Sequence, residues 1–325
     1  DESDSTKLVF KDRSRFWVTQ YRLMWKETAS LTIILKSIVR ESITDDLMNH
    51  IGLFHVYENT WPASLCVSSS STCRKDQCDG NRILGIVQDY RSTSSSSTTL
   101  GDLRSLYRAG HFNETISIRP QIDRTSFEHT VLFYFISGHP DLHGGNILLR
   151  EDGKLTCIDV DMAWGGSPGC LMGPLQMPCV FGAVHGFSTP CMFQENSVEG
   201  RHDECPYFSE ADVAFSKASV RMIQDLNVDF VISEYLNSQE RVDEVCAALH
   251  IKKSHCPDVH DIFGEHAVSM FRLRIQILRE IVNSPRVLSL RGVYRTFLPK
   301  LLFRALQRNV TSYFDETRFR FRDVY

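Results

Sequence analysis

Residues 139–159 carry the side chains that are best suited to take part in catalysis. His139, Asp141, His143 and Asn146 lie close together, and Asp159 follows Asn146 at the end of an apolar run. Phosphoryl transfer needs groups of these types. One carboxylate orients the attacking hydroxyl, while an amide and a second carboxylate hold Mg²⁺ on the nucleotide phosphates. The pattern therefore predicts Asp141 as the base and Asn146 and Asp159 as metal ligands.

A short hairpin is predicted between the two candidate metal ligands. Ile147–Leu149 and Leu155–Ile158 have the apolar, β-branched character of strands, and Arg150–Lys154 between them has the composition of a turn. Such a hairpin would return Asn146 and Asp159 to the same end, where one metal could bind both.

Three further residues are candidates for secondary roles. Asp161 could bind a second metal or face solvent, and the sequence leaves both open. His143 could support the loop or contact a phosphate, which makes it a second candidate catalytic residue. His139 and His143 could equally be hydrogen-bonded structural histidines, because a lone histidine often has that role.

The spacing from His139 to Asp159 resembles that of the protein-kinase-like superfamily, and the resemblance covers residues 125–165. The order Asp141-x-His143-x-x-Asn146 is similar to the catalytic loop of phosphatidylinositol kinases and of secretory-pathway kinases of the four-jointed type. Leu142 stands where that loop usually has Arg. His-x-Asp-Leu-His also occurs in aminoglycoside and choline phosphotransferases, so the branch stays open.

The resemblance implies a bilobal fold that binds ATP with Mg²⁺ or Mn²⁺ between its lobes. Such folds need a strand lysine paired with a helix glutamate to hold the nucleotide phosphates. Glu41 is the helix candidate, and the lysine is either Lys11, in a strand similar to one of the secretory kinases, or Lys26. No G-x-G-x-x-G segment is present to cover the nucleotide.

Residue patterning predicts an α+β chain in which strands come first and helices follow. Strands are predicted over residues 6–11, 16–26 and 82–90, and a further strand is predicted to start at 55. Helices are predicted over residues 27–53, 100–109, 210–237, 240–250, 264–282 and 293–307. The last of these helices is expected to break at Pro299. A further helix carries Phe127, Val131 and Phe135 on one face. Residues 65–81 read as a polar insertion. The predicted organisation is a β-rich lobe over 1–91, a Ser/Thr-rich hinge over 92–99 and a helical lobe over 100–325.

Composition narrows the possible partners. The chain has 325 residues, of which 42% are hydrophobic, and a net charge of −4, so it has no overall nucleic-acid-binding character. Residues 285–325 differ, with nine Lys/Arg against three Asp/Glu. This surplus predicts a solvated helical face or a contact with an acidic partner or a membrane surface. No apolar run reaches the roughly 18 residues that span a bilayer.

Cysteines and sequons favour an oxidising compartment. The chain has ten cysteines, clustered outside the predicted strands except for Cys157, which is expected to be a buried thiol. Asn113-Glu-Thr and Asn309-Val-Thr are candidate glycosylation sites. The chain begins at Asp1, and we expect a processed product from which a signal peptide could have been removed. These features predict a disulfide-bonded glycoprotein of the Golgi lumen or extracellular space, with a reduced cytoplasmic protein as the alternative.

The sequence is compatible with three functions. The first is a kinase that transfers phosphate to a protein or glycan hydroxyl. The second is a pseudokinase that serves as a binding module, which the missing Gly-rich loop and Leu142 favour. The third is a cytosolic phosphotransferase for a small molecule or lipid. The sequence does not choose an acceptor or an oligomeric state.

Overall fold

Two small antiparallel sheets and a larger set of helices make up the part of the chain that the structure describes. The computed structural model describes residues 7–13, 31–53, 56–57, 60–67, 81–90, 98–99, 122–139, 146–150, 152–161, 163–164, 208–264 and 266–307. This combination confirms the α+β class. The strand predicted over 16–26 and the helix predicted over 100–109 lie outside the described residues.

The first sheet has the strand order β1-β3-β2, and both pairs are antiparallel. Its strands are β1 at Lys7–Asp12, β2 at Thr60–Val67 and β3 at Asn81–Tyr90. β1 and β3 confirm two of the predicted strands. The strand predicted to start at 55 agrees only in part with β2, which begins at Thr60 and whose last three residues were assigned to the polar insertion. Pro62 and Ser64 interrupt the apolar pattern of β2. Pairing with β3 overrides these local signals.

Gly85 lies in β3 where β1 comes closest. A Cβ placed on Gly85 would lie 2.1 Å from the carbonyl oxygen of Lys11 and 2.7 Å from Cζ of Phe10. The first of these neighbours is backbone, so the contact can be relieved only if β1 itself moves. Gly85 therefore determines how closely β1, the strand that carries Lys11, can approach β3.

Gly85→Ala is expected to push β1 away and to lower the free energy of unfolding by about 1–3 kcal/mol, the usual range for overpacking. Urea denaturation measures the change. Gly292→Ala is the matched control, because a Cβ on Gly292 would meet only side-chain atoms, the nearest at 3.3 Å. Gly292 is helical, so its replacement should be neutral or mildly stabilising. Equal losses at the two positions would contradict the close approach of β1.

The second sheet contains the predicted hairpin. Its strands are β4 at Thr98–Thr99, β5 at Ile147–Leu149 and β6 at Leu155–Cys157, in that order and antiparallel. In the turn, Arg150 N donates to Lys154 O at 2.9 Å and Gly153 adopts φ 78°. The hairpin is therefore confirmed. β4, which is the end of the predicted hinge, pairs with β5.

Helix α1 runs from Leu31 to His50 and confirms the helix predicted in this region. Its predicted inner face is buried, with Ile43, Leu47 and Ile51 all less than one tenth exposed. The helix ends before Gly52, which takes the left-handed φ of 80° that glycine accepts without strain. The stop signal in the sequence is thus the one that the fold uses.

α1 also buries polar side chains on its inner surface. Ser37, Arg40, Glu41 and Thr44 are each at most 5% exposed. Arg40 Nη2 donates to the carbonyl oxygen of Ile262 at 2.7 Å, and Trp164 Nε1 donates to Thr44 Oγ1 at 2.9 Å. Buried polar groups are costly unless they are hydrogen-bonded. These bonds therefore fix the rotation of α1 relative to distant parts of the chain.

Helix α2, at Arg124–Ser137, precedes the residues that the sequence singles out as candidate catalytic groups. The side chain of Asp123 accepts from Ser126 N at the helix start, and Gly138 ends the helix with φ 63°. Phe127, Val131 and Phe135 are buried as predicted. Because α2 is held at both ends and packed throughout, it gives His139 a rigid support.

The remaining α-helices among the described residues follow residue 208. They are α3 at Lys217–Asp225, α4 at Val228–Val231, α5 at Gln239–Ala248, α6 at Val259–Phe263, α7 at Ala267–Val282 and α8 at Leu290–Gln307. The continuous helix predicted over 210–237 is wrong, because Asn227 caps α4 and starts a new helix. The predicted break at Pro299 is also wrong. Phe297 and Leu301 are buried on either side of it, and their packing outweighs the proline penalty.

One disulfide lies in the described part of the chain, between Cys246 of α5 and Cys256. Cys157 is a free, fully buried thiol, as predicted, and burial raises its pKa. The side chains of the other cysteines fall outside the described residues. Among the helices described, none is both long and apolar enough to cross a bilayer.

Candidate functional site

Three separate parts of the chain meet around Glu41. Glu41 lies in α1 and its side chain is fully buried. Lys11 and Arg13 approach it from the end of β1, and Asp159 and Asp161 approach from the segment after β6. The first sheet, α1 and the hairpin therefore contribute to one cluster of charged side chains, which we call the Glu41 cluster.

Arg13 is the central cation of the Glu41 cluster. Its Nη2 donates to Glu41 Oε1 and to Asp159 Oδ1, and its Nε donates to Glu41 Oε2 at 3.3 Å. Nη1 lies 4.0 Å from Asp161 Oδ2. The planar guanidinium thus binds both oxygens of Glu41 and also reaches Asp159, a geometry that a lysine could not reproduce.

Lys11 takes a more peripheral position. Its Nζ lies 3.9 Å from Glu41 Oε1, and its side chain is 25% exposed whereas that of Arg13 is 5% exposed. The structure therefore places the candidate lysine and the candidate glutamate side by side, with the lysine facing the solvent edge. Lys26, the other candidate, lies outside the described residues.

Burial and charge shift the pKa values of this cluster in opposite directions. Burial would raise the pKa of Asp159, but the charge of Arg13 and its hydrogen bond outweigh burial and lower it. Burial raises the pKa of Asp161 to about 7, against the attraction of Arg13. Ser37 Oγ donates to Asp161 Oδ2 at 3.0 Å. Asp159 is therefore ionised at neutral pH, whereas Asp161 takes up a proton near neutral pH.

The backbone of Asp159 is in the left-handed region, with φ 60°. Asp tolerates this region better than most residues, yet it is uncommon outside glycine and often marks functional sites. His139 Nε2 lies 3.1 Å from the carbonyl oxygen of Asp159. A carbonyl only accepts, so Nε2 carries the proton in this bond. His139 is fully buried and therefore serves to support the turn at Asp159.

The hairpin brings Asn146 to the same end as Asp159. Ile158 N donates to the carbonyl oxygen of Asn146 at 2.8 Å, so the backbones of these two segments are adjacent one residue before Asp159. Asn146 is 8% exposed. Asp141 and His143, the two candidate catalytic residues, lie outside the described residues, between the well-placed His139 and Asn146.

Sequence reasoning missed Arg13 and Ser37. A signal for Arg13 existed, because side chains two apart along a strand share a face, and Arg13 follows Lys11 by two positions. Ser37 precedes Glu41 by four positions and so lies on the same side of α1. Neither signal identifies the partner carboxylates, of which Asp159 and Asp161 come from a segment more than a hundred residues away.

The donor chemistry near Asp159 suits a hard divalent cation. No group of three or more His, Cys, Asp or Glu is arranged to hold a metal within the described residues. A nucleotide-bound Mg²⁺, however, takes only one or two carboxylates and completes its shell with phosphate and water. Asp159 is ionised and its side chain is 35% exposed, so it fits that role, although Arg13 competes for Oδ1.

No protein-family model matches the chain, and no curated protein sequence matches it.

Proposed function

We propose that the chain is a phosphotransferase with a bilobal kinase-like fold, which moves the γ-phosphate of ATP to a hydroxyl acceptor. The observation that carries the proposal is the meeting of Lys11, Glu41 and Asp159 from three separate segments. Phosphoryl transfer is catalysed mainly by positioning and electrostatic stabilisation, and it needs a cation for the phosphates and a carboxylate for the metal in one place.

Each residue has a distinct role in this proposal. Lys11 holds the nucleotide phosphates, and Glu41 orients Lys11. Asn146 and Asp159 would hold Mg²⁺ or Mn²⁺, with Asp161 as a further candidate ligand. The bound metal would neutralise negative charge on the phosphates. Asp141 would orient the acceptor hydroxyl, and His143 is the second candidate catalytic residue.

The acceptor we propose is a protein or glycan hydroxyl, and the compartment is the secretory pathway. The Cys246–Cys256 disulfide supports an oxidising environment, as do the two sequons. A cytosolic phosphotransferase for a small molecule or lipid is the alternative. The basic surplus over 285–325 would suit an acidic partner or a membrane surface in either case.

Nucleotide binding is the first test of the proposal. ATP with Mn²⁺ at about 100 times its Kd should stabilise the folded chain by roughly 2.7 kcal/mol, measured by thermal or urea unfolding. Lys11→Met should remove most of this gain, whereas Lys154→Met, in the hairpin turn, should leave it unchanged. If ATP with Mn²⁺ produces no stabilisation at any concentration, the phosphotransferase proposal fails.

Arg13 favours a second candidate function, a binding module without catalysis. Its guanidinium takes up an oxygen of Asp159 that a metal would need, and it also saturates Glu41. A site held closed in this way could bind a nucleotide or partner without turnover. Product analysis separates the two functions. Stabilisation by ATP together with no phosphorylated product and no hydrolysis would support the binding module.

A further inference from the structure

A cavity lies in the helical part of the chain, and none of its lining residues belongs to the Glu41 cluster. The cavity has a volume of about 320 Å³ and lies between α3, the C-terminal end of α7 and the turn that leads into α8. Small-molecule sites typically have volumes of about 300–1,000 Å³. This cavity is therefore large enough for a small or slender ligand.

The inner surface of the cavity is apolar. Ile281 and Val293 are 4% and 2% exposed and belong to the hydrophobic core, and the partly buried Phe215 packs against that core. These side chains offer no hydrogen bond to a ligand. The inner part of any occupant must therefore be hydrocarbon.

The rim of the cavity is cationic. Lys217, Arg221 and Arg286 line it and are exposed, and no carboxylate among the described residues lines it. None of these three side chains makes an ion pair within the part of the chain that the structure describes. Their positive charge is therefore not neutralised locally, and it would attract an anion to the mouth of an apolar cavity.

The walls of the cavity are fixed by bonds to the rest of the fold. At the start of α3, Ser216 Oγ and Ser219 Oγ donate to Glu128 of α2, which is 1% exposed. On the other side, Leu290 N donates to Val213 O at 3.0 Å. The cavity is therefore preformed, so a ligand would not have to order it first.

We propose that this cavity binds an anionic amphiphile, with a short alkyl chain against Phe215, Ile281 and Val293 and a carboxylate or phosphate head group on the cationic rim. The proposal is independent of phosphotransfer at the Glu41 cluster. It combines two observations that a neutral ligand would leave unexplained. The inner surface of the cavity is buried hydrocarbon, and the three cations at its rim make no ion pair with any described residue.

Binding of decanoate, decyl phosphate and decanol to the full chain tests the proposal, with isothermal titration calorimetry as the measurement. Both anions should bind saturably with one site per chain, below the concentration at which they form micelles. Decanol should bind about tenfold more weakly or worse, because charged contacts account for the difference. Raising the salt concentration should weaken the binding of both anions and leave the binding of decanol unchanged. The anion that binds with the higher affinity identifies the head group.

Variants at the rim locate the site. Arg221→Gln together with Arg286→Gln should weaken decanoate binding by about tenfold, while Lys252→Gln, at an exposed lysine that does not line the cavity, should not change it. Val287 lines the cavity and is 80% exposed, so Val287→Asp should fold normally and weaken binding, whereas Val287→Lys should preserve or strengthen it.

Three results would overturn the proposal. The first is equal binding of decanol and decanoate. The second is an unchanged affinity in the double arginine variant. The third is an equal loss of affinity in Val287→Asp and Val287→Lys while both remain folded, as shown by circular dichroism.

Discussion

Replacing Arg13 with Met is expected to lower the free energy of unfolding by about 3–5 kcal/mol, the usual cost of breaking a buried ion pair from one side. The change removes the cation that binds both oxygens of the fully buried Glu41 and that also reaches Asp159. Lys11, at 3.9 Å from Glu41, can compensate only in part because it lies at the solvent edge. Urea denaturation at neutral pH measures the loss.

Arg304→Met is the matched control for Arg13→Met. Arg304 also binds both oxygens of a glutamate, with each nitrogen 2.7 Å from Glu280, but these side chains are 30% and 35% exposed. Pairs exposed to solvent contribute only about 0–1 kcal/mol. A second variant, Arg13→Met with Glu41→Leu, should regain much of the lost stability because the fully buried charge of Glu41 is then no longer left without its cation. A loss at Arg13 no larger than that at Arg304 would contradict the buried network.

Asp159→Asn is expected to reduce phosphotransfer by at least about 10²–10³-fold, if the chain acts as proposed. Asn keeps the shape of the side chain, but it removes the negative charge that would hold the metal on the nucleotide. The left-handed backbone at Asp159 is also compatible with Asn, so the turn should persist. Steady-state kcat/KM for ATP with Mg²⁺ or Mn²⁺ measures the effect.

Asp152→Asn provides the matched control for this second change. Asp152 lies in the turn of the same hairpin, with its side chain 41% exposed and paired with Arg150 and Lys154. Its replacement should leave kcat/KM within about threefold of the starting value, in line with the small energies of exposed ion pairs. Equal activity in Asp159→Asn and the unaltered chain would show that phosphotransfer, if present, does not use Asp159.

Much of the local structure could be predicted because the signals are local. The Ile43, Leu47 and Ile51 spacing and the stop at Gly52 define the end of α1, and the turn composition of Arg150–Lys154 defines the hairpin. These features depend on residues within a few positions of one another. Glu41 was accordingly predicted on a helix, and Asn146 and Asp159 at the same end of the hairpin, which is where they lie.

The features that could not be predicted depend on distant packing. β2 forms in spite of Pro62 because β3 supplies its hydrogen-bonding partner, and α8 continues past Pro299 because its buried side chains hold it against the core. Arg13 is the clearest case. Its charge was visible in the sequence, but its partners are Glu41 and Asp159, which are 28 and 146 positions away. Only the tertiary fold decides that it outcompetes Lys11 for Glu41.

The polar inner surface of α1 has a consequence for cooperativity. Ser37, Arg40, Glu41 and Thr44 bond to three different parts of the chain, namely the end of β1, the stretch after β6 and α6, so α1 cannot separate from one of them without straining the others. Elements connected in this way open together rather than one at a time. Opening of the Glu41 cluster and unfolding of the surrounding core therefore belong to the same cooperative unit. A ligand that fits the closed cluster would stabilise the whole unit and not only the residues it touches.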